Sequence, residues 1–218
     1  MARKRVAVLI SGRGSNMVAL AEAAKHPAFP AEIWLVVSNR PDAAGLAYAR
    51  DAGIATTIVD HTTFAGDREA FEQALQAVLE AAHIDIVCLA GFMRLLTPWF
   101  VSRWQGRMLN IHPALLPAFK GLDTHARALA AGVKIHGASV HFVVPEMDSG
   151  PIIMQGAVAV ADDDTEKTLS ARVLAVEHRI YPEALRLVAE GRVRIVNGRC
   201  ITDGATSPQE IFLVPENR

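Results

Sequence analysis

The first 110 residues alternate short β-branched apolar runs with alanine-rich stretches of helical spacing, and this alternation restricts the chain to a few folds. Strands are predicted at residues 5–10, 33–38, 56–59, 84–89 and 108–111, and helices at 15–25, 43–52 and 67–82. Within the last helix Phe71, Leu75, Val78 and Leu79 fall on one face. Strands joined by helices in this way build βαβ units, whose parallel sheet is buried on both faces.

After residue 111 the pattern changes. A proline-containing loop leads to a short helix near 123–131, then to extended runs at 138–144 and 152–160 close enough to pair antiparallel. A long helix is predicted over 166–190. The runs 193–196 and 199–201 flank Asn197-Gly198, whose tolerance of positive φ suits a type I′ hairpin. The expected architecture is α/β: a Rossmann-like, mostly parallel sheet with a late antiparallel portion and helices on both faces. At 218 residues and 51% hydrophobic composition, one domain over 1–218 can bury a full core, with an irregular tail from about Ser207.

With 22 Lys and Arg against 23 Asp and Glu, the net charge is -1, so no global electrostatic footprint favours nucleic acid or an anionic membrane. Anion recognition must be local. The apolar run 6–10 is interrupted by Ser11-Gly12-Arg13-Gly14, which makes it a first strand and not a signal segment. Nowhere does an apolar run approach the roughly 20 residues that span a bilayer. Cys88 and Cys200 offer neither a disulfide framework nor a CxxC metal pair, and they fit a reducing cytoplasm.

Ser11-Gly12-Arg13-Gly14-Ser15-Asn16 follows the first strand and opens the first helix, where backbone N–H groups and the helix dipole favour an anion. Met17 stands where a dinucleotide fingerprint needs its third glycine, and the second strand ends in Ser38-Asn39 with no acid for a ribose hydroxyl. A Gly-Lys-Ser/Thr grip on a nucleoside polyphosphate is missing too. The loop suits one phosphate, with Ser15 and Asn16 as side-chain donors. The competing explanation is an ordinary tight turn in which Ser or Asn caps the helix.

Asn110 and His112 lie two apart at the end of an apolar strand, so both side chains leave on the same side. An amide donor beside an imidazole suits acyl transfer, because both can face a developing oxyanion. A satisfied strand-end pair is the plainer alternative. Asp148, in a Gly- and Pro-punctuated turn, is by residue type a turn former; close to His112 it would favour the imidazolium.

Six segments then agree in order from about residue 5 to 202: Ile10-Ser-Gly-Arg-Gly-Ser-Asn16, Gly91-Phe-Met-Arg-Leu-Leu96, Asn110-Ile-His-Pro-Ala-Leu-Leu-Pro117, Phe119-Lys-Gly-Leu-Asp-Thr-His125, His136-Gly-Ala-Ser-Val-His-Phe142 and Asp148-Ser-Gly-Pro-Ile-Ile-Met-Gln155. With them the chain resembles the folate-dependent formyltransferase family. The Gly14-Ser15-Asn16 loop and Glu177-His-Arg-Ile-Tyr-Pro182 narrow the resemblance to the branch that acts on glycinamide ribonucleotide.

The resemblance implies transfer of the formyl group of 10-formyltetrahydrofolate to the amine of 5-phosphoribosylglycinamide in purine synthesis, with no metal. It implies that Asn110 and His112 stabilise the oxyanion, and that Asp148 keeps His112 charged and helps move the amine proton. Gly14, Ser15 and Asn16 are implied to hold the substrate phosphate, and Glu177 the ribose or glycinamide portion. Met93, Arg94, Leu95, Leu96 and Asn110 are implied to line the folate pocket. Backbone of Val144, Pro145, Glu146, Met147 and Asp148 would read the pterin, and Arg68 would lie near the glutamate tail. Small molecules are the expected partners, with no nucleic acid or membrane, for a cytoplasmic monomer or homodimer.

Three positions depart from the family's pattern: Arg13 where Asn or Thr is common, Ala114 where Ser is usual, and Pro145 where an acid is common. Arg13 either adds charge toward the phosphate or points to solvent. His125, His136 and His141 lack the HExxH or carboxylate spacing of a metal site. The aromatic group Phe92, Trp99, Phe100 and Trp104 has no basic interleaving and reads as core. Transfer-RNA formyltransferases and formyltetrahydrofolate hydrolases share the catalytic segment but carry a further domain. From another class, a non-catalytic phosphate- or folate-binding module remains the alternative.

Overall fold

The computed structural model describes residues 2–204 and Val214. Strands β1 (Lys4–Ile10), β2 (Ala31–Ser38), β3 (Ala55–Ile58), β4 (Ile86–Leu89) and β5 (Met108–His112) alternate with helices α1 (Ser15–Ala24), α2 (Gly45–Asp51), α3 (Arg68–Ala81) and α4 (Pro98–Arg103). Helix α5 (Thr124–Ala130), strands β6 (Ile135–Phe142) and β7 (Ile152–Ala159), helix α6 (Glu166–Ala189) and the hairpin β8 (Val193–Val196) and β9 (Arg199–Thr202) follow. Seven strands form a mixed sheet in the order β3-β2-β1-β4-β5-β6-β7. The first five run parallel, and β6 is antiparallel to both β5 and β7.

Period-two alternation divides the core into two layers. Val6, Val8 and Ile10 of β1 join Met17 and Leu20 of α1, Leu46 of α2 and Val173, Tyr181 and Leu185 of α6. Ala7 and Leu9 join Phe71, Leu75 and Leu79 of α3 and Phe100 of α4 on the opposite face. Each large side chain so buried contributes about 1.5–3 kcal/mol relative to exposure. Phe100 and Trp104 lie inside the second layer, with Phe92 and Trp99 packed against it, so the aromatic group is core.

The expected element order holds, and the differences lie mostly at ends. The fourth strand starts at Ile86 and not at 84, because the Ile84 N–H is spent on Leu79 O (3.1 Å), closing α3 behind His83 in left-handed conformation (φ 51). The sixth begins earlier and stops at Phe142, whose N–H turns to Pro151 O (2.9 Å). The sequence reading drew neither α4 nor the 3-10 turn His61–Phe64, although Thr97-Pro98 is a helix start. Asn197 and Gly198 both have positive φ (50 and 75), as the hairpin requires. The predicted tail from about Ser207 falls outside the described residues, Val214 aside.

Two glycines allow the antiparallel end of the sheet to pack closely. A Cβ on Gly137 would stand 2.0 Å from Gly156 O, and one on Gly156 would stand 2.3 Å from Val176 Cγ1 of α6. Gly137→Ala should therefore destabilise the protein by about 3 kcal/mol, read as a lower urea midpoint, since backbone and not a flexible side chain must yield. An unchanged midpoint would mean that β6 and β7 can part without cost.

His136 is 1% exposed, with its ring edge-on to His125 at 5.4 Å and to Phe119 at 5.8 Å. Neither ring nitrogen finds a well-formed hydrogen bond among the described residues, though the Pro113 carbonyl lies on its polar side. Burial, aided by His125, pushes its pKa down to about 4 from 6.5. The unfolded chain therefore binds the proton first as pH falls. This contribution to stability is complete above about pH 6.5 and is lost as pH drops toward 4. Urea midpoints measured from pH 7.5 down to 4.5 should fall, and His136→Gln should flatten that fall.

Candidate active site

The site begins with strand parity. On β5, Leu109 and Ile111 enter the α6 layer, so Asn110 and His112 point away from it; on β6, Ala138 and Val140 do the same and leave Ser139 and His141 on the other side. Antiparallel register sets Asn110 opposite His141 and His112 opposite Ser139. Four polar side chains thus share one face at the C-terminal end of β5, where the segments after β5 and β6 fold over them. Ser139 Oγ accepts the Leu116 N–H (3.0 Å) and donates to Ala114 O (2.7 Å), while Gln155 Nε2 donates to Leu116 O (3.0 Å). These bonds hold the loop after β5.

His141 orients Asn110. Its Nδ1 faces the Phe142 carbonyl at 2.9 Å, which can only accept, so the neutral ring keeps Nε2 as an acceptor for the Asn110 amide at 3.2 Å. Burial lowers the His141 pKa against the opposing pull of the Phe142 carbonyl and Asp148. One N–H of Asn110 is committed to that ring. Among the described residues its second N–H has no partner.

His112 lies between two oxygens. Its Nε2 is 3.0 Å from Phe119 O, and its Nδ1 is 3.4 Å from Asp148 Oδ2. Asp148 Oδ2 also accepts the Gly121 N–H at 2.9 Å, and Oδ1 lies 3.8 Å from His141 Nε2. The Asp148 side chain is 10% exposed, so its charge is largely shielded from water. The residue holds left-handed backbone (φ 50), at a cost of roughly 1 kcal/mol for a residue other than glycine. Lys120 Nζ bonding Ser149 Oγ (2.6 Å) ties the same turn to the loop after β5.

The first loop forms a second centre. Strand order reverses between β1 and β4, and a cavity of about 370 Å³ opens where open α/β sheets bind ligands. It is lined by the Ser11–Asn16 loop and by residues following β2 and β4, Arg94 among them. Ser11 joins these segments, since its Oγ donates to Asn39 Oδ1 (2.6 Å) and accepts the Met93 N–H (2.8 Å). Gly14, at φ 71, turns the chain into α1, whose first turn has no side-chain cap. This removes the capping explanation for Ser15 and Asn16.

Asn16, expected as a side-chain donor to an anion, donates from Nδ2 to Glu177 Oε2 at 2.6 Å, and its Oδ1 is buried with no partner among the described residues. Glu177 is buried on α6, which raises its pKa, and the bond from Asn16 partly opposes that rise. Its neighbour one turn on, Tyr181, donates to Leu89 O (3.0 Å) and Leu109 O (3.2 Å), tying the end of β4 to the start of β5.

Asn110, His112 and Asp148 come together, as do Gly14, Ser15, Asn16 and Glu177. Met93 and Arg94 line the cavity beside the first loop, and Leu95 and Leu96 continue that segment. Val144–Asp148 is the loop after β6, whereas Arg68 stands exposed at the start of α3 and is not among the cavity residues. Sequence reasoning weighed His141 only as a metal ligand and passed over Ser139, Phe119 O and Gly121 N. The same two-residue spacing that singled out Asn110 and His112 recurs in Ser139 and His141 and could have found them.

Residues 4–185 match the formyl transferase family. A phosphoribosylglycinamide formyltransferase of Escherichia coli (strain K12) is 44% identical over 211 residues, 97% of this chain and 99% of the relative. The trifunctional purine biosynthetic protein adenosine-3 of Bos taurus is 52% identical over 198 residues, 90% of this chain but 20% of its own length. The chain thus spans about a fifth of that longer relative. The crystal structure of glycinamide ribonucleotide transformylase 1 from Symbiobacterium toebii superposes with a TM-score of 0.89 at 46% identity, covering 92% of this chain and 94% of the other. By these matches the chain belongs to the formyl transferase family, among its phosphoribosylglycinamide formyltransferases.

Proposed function

We propose that this chain transfers the formyl group of 10-formyltetrahydrofolate to the amine of 5-phosphoribosylglycinamide, as a cytoplasmic enzyme of purine synthesis. The observation that carries the reading is the grouping of Asn110, His112, Asp148 and His141 at the end of β5, on the sheet edge that also bears the anion cavity. Phosphate recognition falls to backbone N–H groups of Gly14, Ser15 and Asn16, with Glu177 toward the ribose or glycinamide. Met93 and Leu95, 69% and 62% exposed, and Met147, 52% exposed, offer apolar cover for a flat aromatic donor. The loop Val144–Asp148 supplies backbone polar groups for its pterin. Arg94 and Leu96 would complete this wall, and Arg68 would meet the donor's anionic tail.

In this mechanism the acceptor amine attacks the formyl carbon, forming a C–N bond while negative charge grows on the formyl oxygen. The free N–H of Asn110 and an N–H of His112 stabilise that charge. His112 Nε2 is already engaged by Phe119 O, so Nδ1, on the Asp148 side, is the assigned donor. Asp148 balances the imidazolium and relays the amine proton, through water, to the leaving folate nitrogen as the old C–N bond breaks. His141 acts through Asn110, holding its amide in one orientation.

Turnover should be followed by folate absorbance with and without phosphoribosylglycinamide. Acceptor-dependent turnover is expected; turnover without acceptor would mean hydrolysis, and donor binding alone a non-catalytic module. Asn110→Ala and His112→Ala should each lower kcat by about 10²–10³. Asp148→Asn should lower the rate and also alter its pH profile. Near-normal turnover in a folded Asn110 or His112 variant would sink the assignment.

A further inference from the structure

Three arginines, Arg13, Arg40 and Arg94, line the cavity at the first loop, and no aspartate or glutamate does. They are not equivalent. The Arg40 guanidinium is engaged by Asp42 at 2.8 and 3.0 Å, whereas no described carboxylate forms an ion pair with Arg13. Arg13 sits between Gly12, where an added Cβ would meet nothing within 4 Å, and Gly14, whose φ of 71 turns the chain into α1. The first turn of α1, whose Ser15 and Asn16 line the cavity, has neither an acidic residue nor a side-chain cap to compensate its N–H groups. A second sign of a polar ligand is Asn16 on the cavity wall, 8% exposed, whose Oδ1 has no partner among the described residues and fits a hydroxyl or amine donor of the same phosphorylated molecule.

We propose that Arg13 is a side-chain anchor for the acceptor's phosphate, adding a guanidinium fork to the backbone N–H groups of α1 and setting the preference for a phosphorylated acceptor. The inference rests on the function proposed above and assigns a specificity residue within it. A helix end presents only about half a positive charge, little against a phosphate monoester that is close to a dianion near neutral pH. A guanidinium supplies a full charge and two parallel donors that match phosphate oxygens. Arg40, already neutralised by Asp42, brings less net charge to the same cavity. Because Arg13 is exposed, its contribution is open to salt screening, unlike that of the backbone groups beneath it.

The test compares Arg13→Asn and Arg13→Lys with the unaltered protein by steady-state kinetics and by calorimetric titration with inorganic phosphate. Arg13→Asn should raise the acceptor KM about tenfold, the loss of one exposed charge-assisted contact, with kcat and the donor KM within about twofold. Phosphate affinity should weaken in step. Arg13→Lys should recover part of both effects, and high salt should shrink the difference between variant and unaltered protein. Unchanged acceptor KM and unchanged phosphate affinity in Arg13→Asn would overturn the assignment, as would a loss confined to the donor KM. If the unaltered protein turns over no phosphoribosylglycinamide, the functional reading fails and the phosphate titration alone decides the role of Arg13.

Discussion

The antiparallel register of β5 against β6 is the constraint on which the site depends. Had β6 continued the parallel sense of the sheet, a helical crossover would have covered this face, as α3 and α4 cover it beneath β1 and β4. Reversal instead leaves short segments to fold over the strand ends, and it pairs Asn110 with His141 and His112 with Ser139. A slip of β6 by one residue would send Ser139 and His141 to the α6 layer, away from Asn110 and His112. Behind β6, Gly137 and Gly156 allow close packing, because a larger residue at either would force β6, β7 and α6 apart.

Helix α6 couples the two centres. Glu177 reaches Asn16 behind the first loop, and one turn later Tyr181 bonds the carbonyls of Leu89 at the end of β4 and Leu109 in β5, next to Asn110. One rigid element therefore sets the position of the anion loop relative to Asn110. The local polar groups follow a consistent logic: Ser139 holds the loop after β5, His141 orients Asn110, and His112 is held between Phe119 O and Asp148.

Much of this was legible in the sequence because it is written in local periodicity. Alternating apolar runs gave the strands, the Phe71, Leu75 and Leu79 spacing gave α3, and the two-residue spacing of Asn110 and His112 put both on one face. What escaped were partners distant in the chain. Nothing local to Asn16 reveals a carboxylate at position 177, and the buried contact between them exists only once α6 packs on α1. His141 was overlooked as a companion of Asn110 for the same reason, although its strand parity was readable.

By itself, then, the sequence determined the parallel α/β layout, the loop that begins α1 and the polar pair at the end of β5, since each arises from neighbours a few residues apart. The family resemblance added Asp148. Only the tertiary structure decided that Asp148 lies 3.4 Å from His112, that His141 directs Asn110, and that Asn16 bonds Glu177. Those outcomes are set by strand register and helix packing, which bring together groups that no spacing along the chain relates.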